Sequence, residues 1–343
     1  MIGNLSAFIL RRCVNAVITI VLMVAMVFIA LHLIAPTPLA LARLYAPNPH
    51  VGPAELLQIA KAKGLTLPIY TQFLNYVEGV FTGNFGIDTN GTPVSAEIAY
   101  YLPITLTLVI VGLVVGVVIG LYTGAISAAN RNAKTDYSLK GVYLVTWSAP
   151  PFLVAVILQL VVAYWLKLLP SSGVYNATLF TAPPVRTGFP LIDGLIAGDW
   201  GFVTDYVRHL VLPAMTIAIL NFGVFTRLTR ASMIDALDKD YVKLAYMKGL
   251  TKRKVVYGTA FRNALIPVIT LIAVYFGLSV GGAVIVEDVF NYRGIGWFTV
   301  NSVGNLDYPA ILAITIVTGI GVIVANLVAD LMYGAVDPRV RLS

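Results

Sequence analysis

The sequence predicts an all-α integral membrane protein with six transmembrane helices, on three observations. Hydrophobic residues make up 58% of the 343, charged residues only 11%, and mean hydropathy is +0.85; a water-soluble core of this size needs a far more charged surface. Six segments, near 13–35, 103–128, 139–166, 208–228, 264–286 and 309–335, are apolar over about the 20 residues that cross a hydrocarbon layer roughly 30 Å thick. They are continuously apolar rather than alternating, which excludes a lipid-spanning barrel.

Arg11 and Arg12 precede the first segment, and Ala40-Leu41-Ala42 resembles a cleavage site. The apolar run exceeds the 7 to 15 residues of a secretory signal core, so it reads as a retained span. Cys13 is the single cysteine, which rules out an intramolecular disulfide or a cysteine-based metal site. An external segment, 36–101, opens with Pro36, Pro38, Pro47 and Pro49. It then carries a short helix from Pro53 that stops at Gly64, and a second, apolar-periodic helix from Tyr70 to Phe81 that rests on the membrane face. In the second span, Gly112, Gly116, Gly120 and Gly124 recur every four residues, a bare stripe that lets another helix approach closely. The second external loop, 169–206, is interrupted by Pro183, Pro184, Gly188 and Pro190. Asn90-Gly91-Thr92 and Asn176-Ala177-Thr178 match the glycosylation pattern and fall on the external side. Two long outer segments point to an external partner.

Cation placement sets the orientation. With a cytoplasmic N-terminus, Arg11, Arg12, Arg131, Lys134, Lys140, Arg339, Arg341 and the nine cations of a loop at 227–267 lie inside; that is 16 of the 23 lysines and arginines, against seven outside. Both termini are therefore expected in the cytoplasm, and the net charge of +7 is a topology signal that implies lipid contact and no nucleic acid.

Several catalytic patterns fail. Gly277-Leu-Ser279-Val-Gly281 fits a serine-nucleophile motif and raises an intramembrane protease, but its strand-to-helix context is missing and the histidines are only His32, His50 and His209. The Gly277 and Gly281 pair also reads as helix packing. No Gly-Lys dipeptide exists, so no Walker A loop cradles a nucleotide. No His-Glu-x-x-His or Cys/His cluster suggests a metal. Asp330, the one acid placed within a span, lies close to Asp337-Pro338 and reads as a snorkelling or capping group at the cytoplasmic face. A channel or secondary transporter would need mid-span ionisable residues or inverted repeats, which are not evident.

The loop at 227–267 holds Arg227, Arg230, Lys239, Lys243, Lys248, Lys252, Arg253, Lys254 and Arg262, and reads as a helix, a turn at Gly249 and a second helix capped by Thr251. Tyr241, Leu244, Ala245 and Lys248 share one face at helical spacing. A solvated loop on anionic lipid heads would account for the charge but not for Ala245, Gly249 and the interleaved aromatics.

Asp240-Tyr-Val-Lys243-Leu-Ala245-Tyr-Met-Lys248-Gly249-Leu250, followed by Arg262-Asn-Ala-Leu-Ile-Pro267, resembles the EAA motif of ABC transporter permeases. Its form is that of the dipeptide, oligopeptide and nickel permease subunits of the DppB/OppB type. The resemblance extends through Arg208-His-Leu-Val-Leu-Pro213, Gly281 to Gly296 with Glu287 and Arg293, Asn305-Leu-Asp307-Tyr308-Pro309, and Asn326 to Arg339, and reaches back to Leu102-Pro103 and Gly83-Asn-Phe-Gly86. Asp240 stands where the general motif has Glu, and the outer loops match no pattern.

This resemblance implies an ABC type I importer permease fold in the cell membrane. Residues 1–101 would supply the first helix and external segment, 102–335 a five-helix core containing the coupling loop, and 336–343 a cytoplasmic tail. It implies a coupling helix, with Asp240, Tyr241, Lys243, Leu244, Ala245, Tyr246, Met247, Lys248, Gly249, Leu250, Arg253 and Arg262 contacting an ATPase. The implied partners are a second homologous permease, two cytoplasmic ATPases that bind ATP and Mg, and an external substrate-binding protein. This chain would be no enzyme and hold no cofactor. Di- or oligopeptides are the implied cargo, with oligosaccharides or nickel complexes as alternatives.

Overall fold

The computed structural model describes residues 2–46 and 50–336, apart from the side chains of 2–9, 270, 273, 280–282 and 329–336. The side chain of Asp330 and residues 337–343 of the expected tail thus lie outside the described residues. Every element among the described residues is helical, and the one strand-like pairing among them is a bridge between Ile87 and Pro93.

In chain order these are α1 (Ile2–Ile34), α2 (Pro38–Leu44), α3 (Pro53–Ala62), α4 (Ile69–Thr82), α5 (Val94–Ala129), α6 (Lys134–Ser148) and α7 (Pro151–Leu158), which continues as a π-helical turn (Gln159–Trp165). There follow α8 (Pro190–Ala197), α9 (Trp200–Leu237), α10 (Asp240–Met247), α11 (Lys252–Lys254) with a π turn (Val255–Ala260), α12 (Phe261–Val289), α13 (Ile295–Gly304) and α14 (Tyr308–Val336).

Leu10–Ile34 of α1, α5, α9 and Tyr308–Val328 of α14 are long and apolar enough to cross a membrane, and α6 with α7 makes a fifth candidate if the bent pair is one span. α12, whose side chains are not all described, is 29 residues long, about 43 Å at 1.5 Å per residue.

The expected third span at 139–166 is not one continuous helix. It bends by 104° between Ser148 and Pro151, because Pro150 and Pro151 each lack an amide donor and disfavour helical backbone in the residue before them. The fourth span outruns its expected limits of 208–228 at both ends, since α9 absorbs Trp200 and carries on to Leu237. The loop's first cations, Arg227 and Arg230, are therefore part of a helix. Pro103 and Pro213 sit inside α5 and α9 without ending them. α8 and α13 were not anticipated.

The centre of the molecule is the α5–α9 pair. A Cβ on Gly112 would lie 2.7 Å from Ile217 Cβ, one on Gly116 3.0 Å from the Ala218 carbonyl oxygen, one on Gly120 2.5 Å from Phe225 Cβ and one on Gly124 2.6 Å from Thr229 Cβ. The four-residue glycine stripe is thus the seam along which α9 lies directly on the α5 backbone. Tyr206, Phe202, Leu108, Val109 and Tyr292 fill the outer end of this seam, and Phe225 with Val268 its middle. Gly277 packs on α14, where a Cβ would stand 3.2 Å from Ala325 Cβ, which bears out the packing reading of that residue.

The external segment folds against α1 and α14. The expected helices appear as α3 and α4, ending where Gly64 and Gly83 take φ of +66° and +72°. The Ala40-Leu41-Ala42 stretch lies in α2, with Leu41 and Ala42 buried.

Candidate docking site on the basic loop

The loop is built on the inner end of the α5–α9 seam. α10 begins with Asp240 in its first turn, where a carboxylate is favoured by the helix dipole. Lys243 Nζ donates to Asp240 Oδ1 at 2.8 Å. That hydrogen bond and the adjacent ammonium hold the exposed Asp240 carboxyl below its ordinary range and raise Lys243. The helix closes in a Schellman arrangement: Leu250 N donates to Ala245 O, and Gly249 N to Tyr246 O, with Gly249 at φ +78°. No atom lies within 4 Å of a Cβ built there, so glycine is required for backbone conformation and not for space.

Burial divides α10 into two faces. Val242 and Ala245 are buried with Ala125 and Ala128 of α5, Met233 and Ala236 of α9, Val255, Val256 and Ala260 of the π turn and Ala264 of α12. Met247 is 82% exposed, and Leu244, Tyr246, Tyr241 and Leu250 are also exposed. The exposed cations Lys243, Lys248, Arg253 and Arg262 belong to the same loop and the first turns after it.

The expected shared face of Tyr241, Leu244, Ala245 and Lys248 is therefore wrong in one member. Ala245 turns inward with Val242, and the outward apolar surface is Tyr241, Leu244, Tyr246, Met247 and Leu250. Residues 241, 242 and 244–247 are all apolar, so periodicity alone could not say which side of so short a helix is buried. Thr251 occupies the cap position but makes no side-chain cap hydrogen bond. The second helix is not separate, because α11 and the π turn run without a break into α12.

Two of the loop's cations have partners within the fold. Arg227, itself exposed, stacks over the exposed Trp147 at 5.1 Å. Arg230 clamps Asp136, Nε to Oδ1 at 2.7 Å and Nη2 to Oδ2 at 2.9 Å. The fully buried Asp136 also accepts from Ser127 Oγ of α5 at 2.5 Å and from Asn132 N at 3.0 Å, and pairs with Lys140 of α6 at 3.0 Å. The bidentate Arg230 contact and the further donors match the buried carboxylate with hydrogen bonds and positive charge. This network ties α5, α6 and α9 together beside the α10 cluster, and the sequence offered no periodic signal for it.

A second buried carboxylate organises the opposite end. Glu287 of α12 accepts from Thr105 Oγ1 of α5 at 2.6 Å and from Trp297 N in the first turn of α13 at 3.0 Å, and Ile295 N donates to Thr105 Oγ1 at 2.7 Å. A Cβ on Gly296 would stand 2.5 Å from Val284 Cα, which explains the Gly-x-Gly that follows Arg293. Ser279 lies within α12 rather than at a strand-to-helix turn, and His209 Nδ1 donates to the Asp205 carbonyl at 2.8 Å.

Residues 116–342 match the family described as binding-protein-dependent transport system inner membrane component, and residues 5–96 match the corresponding N-terminal family. The chain is 32% identical over 337 residues to the dipeptide transport system permease protein DppB of Escherichia coli, covering 97% of this chain and 98% of that one. It is 31% identical over 339 residues to the oligopeptide transport system permease protein AppB of Bacillus subtilis, covering 98% and 100%. It is 35% identical over 279 residues to the di/tripeptide transport system permease protein DppB of Pseudomonas aeruginosa, covering 81% and 82%.

Proposed function

The chain belongs to the family of binding-protein-dependent transport system inner membrane components, and from that membership we propose that it forms half of the translocation pathway of an ATP-driven importer of di- or oligopeptides. Its apolar helices and its relatives make it a multi-pass protein of the inner membrane. In this reading six helices cross the bilayer, both termini are cytoplasmic, and a second related permease completes the pathway. Two cytoplasmic ATPases bind ATP and Mg and dock on α10, while an external binding protein delivers substrate to the outer segments.

The observation that carries the proposal is the two-faced α10. Val242 and Ala245 anchor it to α5, α9 and α12, while Tyr241, Leu244, Tyr246, Met247 and Leu250 remain exposed within a ring of cations. An exposed apolar centre with a charged rim is the composition of a protein interface. Closure of two ATPases would move α10, and its packing against α5, α9 and α12 would switch the spans between inward-open and outward-open states. Peptide cargo is supported by the names of the relatives, each a permease of di-, tri- or oligopeptides.

Gly249→Asp tests the coupling role. A side chain at φ +78° costs roughly 1–2 kcal/mol, too little to prevent membrane insertion, and the new carboxylate falls within the docking surface. Uptake in proteoliposomes should be lost while the assembly still hydrolyses ATP. Normal uptake by this variant would refute the assignment. Copurification of two ATPases and a sister permease separates this reading from an autonomous channel or carrier.

A further inference from the structure

α4 runs antiparallel along α1: Gln72 Oε1 is 3.2 Å from His32 Nε2, the rings of Phe73 and Tyr76 are 5.3 and 5.8 Å from that of Phe28, and Val80 packs with Val24 of α1 and Ile316 of α14. From Gln72 to Val80, then, α4 keeps pace with α1 from His32 back to Val24, a descent of about 12 Å. Val24 is ten residues inside the end of α1 at Ile34, about 15 Å along a helix whose Leu10–Ile34 stretch is a candidate span. Ile316, eight residues into α14, gives an independent depth of about 12 Å. Both figures approach half of a hydrocarbon layer roughly 30 Å thick.

The α4 surface is divided to match. Phe73, Tyr76, Val77 and Val80 face α1 and α14. A stripe of Tyr70, Leu74 and Phe81, spaced four and seven residues apart, stays 61 to 68% exposed. Asn75, Glu78 and Thr82 form a separate exposed polar stripe, and Glu78 is the only charged residue on the helix. Over the same depth α1 exposes Met26, Ile29 and Leu33.

We infer that α4 is a re-entrant helix that enters the bilayer beside α1, with lipid acyl chains covering Tyr70, Leu74 and Phe81. Tyr70 lies at the headgroup level, where tyrosine is favoured, and Phe81 about 16 Å further along the helix. The polar stripe faces water, because an exposed carboxylate at that depth is costly unless hydrated. The inference rests on α1 crossing the bilayer and not on the identity of the cargo or the ATPases.

The test uses the assembled transporter in phosphatidylcholine vesicles, with the exposed Cys13 replaced by serine. Single cysteines replace Tyr70, Leu74, Phe81, Thr82 or Met26, each carrying an environment-sensitive fluorophore. Brominated phosphatidylcholine should quench the probes at Leu74 and Phe81. Bromine near the chain end should be the more effective at Phe81, and bromine near the headgroup at Tyr70. Aqueous iodide should quench Thr82 instead. Iodide quenching at Phe81, equal depth at Tyr70 and Phe81, or no quenching by either agent at Leu74 and Phe81 would each overturn the inference; the last would mean that protein covers the stripe. Lipid quenching retained at Met26 in those cases confines the failure to α4, whereas its loss there overturns the reading of α1 as a lipid-facing span.

Discussion

Asp136 and Arg230 allow a quantitative test of whether charge or shape holds the base of the basic loop. Removing one member of a buried ion pair costs about 3–5 kcal/mol when the survivor stays buried and unpaired. The two members are not equivalent here. Asp136→Asn frees Arg230 and Lys140, which retain 18% and 27% exposure and can turn toward water, so its cost should fall near about 2 kcal/mol. Arg230→Met strands a carboxylate that is 0% exposed, leaving it only Lys140, Ser127 Oγ and Asn132 N, and should cost about 4 kcal/mol. The double variant should be less destabilised than the sum, with a coupling of about 1–3 kcal/mol. Urea unfolding in mixed micelles, followed by tryptophan fluorescence, measures all four states. Arg230→Met no more costly than Asp136→Asn would refute this assignment of the clamp.

Gly120→Ala should destabilise by about 1–3 kcal/mol, because its methyl would meet Phe225 Cβ at 2.5 Å and the Phe222 carbonyl oxygen at 2.9 Å, neither of them the end of a flexible side chain. Gly141→Ala in α6, with nothing within 4 Å of its Cβ, should instead gain up to about 1 kcal/mol from helix propensity; the two melting temperatures in detergent should move in opposite directions. On α10, Val242→Ala should cost about 2 kcal/mol of stability, whereas Met247→Asp should leave the melting temperature unchanged and reduce recovery of the ATPases on affinity purification.

The sequence made the helical class legible because apolar runs longer than a bilayer is thick have few other uses, and the glycine stripe made a close helix approach legible, though not that α9 would be the helix to make it. The extent of the helices was less visible. α9 continues past the apolar run because Arg227 and Arg230 find partners in Trp147 and Asp136, a tertiary fact with no local signature. The bend at Pro150-Pro151 was written plainly in two prolines, and the apolar residues on both sides concealed it. In the basic loop, Gly249 was readable from its place after an amphipathic stretch, but the inward turn of Ala245 depends on a pocket made by α5, α9 and α12. The Asp136 network drew no signal at all, since Ser127, Asp136, Lys140 and Arg230 lie on three different helices.

Those details decide whether the loop can transmit force. A docking helix tied only to a flexible connection would absorb the movement of an ATPase in the connection itself. α10 is instead sealed against the inner ends of α5, α9 and α12 by small side chains, chiefly alanines, that leave little room for sliding. Beyond the turn at Lys248–Thr251, the chain runs through α11 and Val255–Ala260 into a 29-residue helix with no intervening coil. On the other side, Arg230, less than two turns from the last residue of α9, is clamped to a carboxylate that also holds α5 and α6. In the proposed coupling role, a push on Leu244 or Met247 would therefore reach four helices together, and the charge clamp would keep α6 in step with α9.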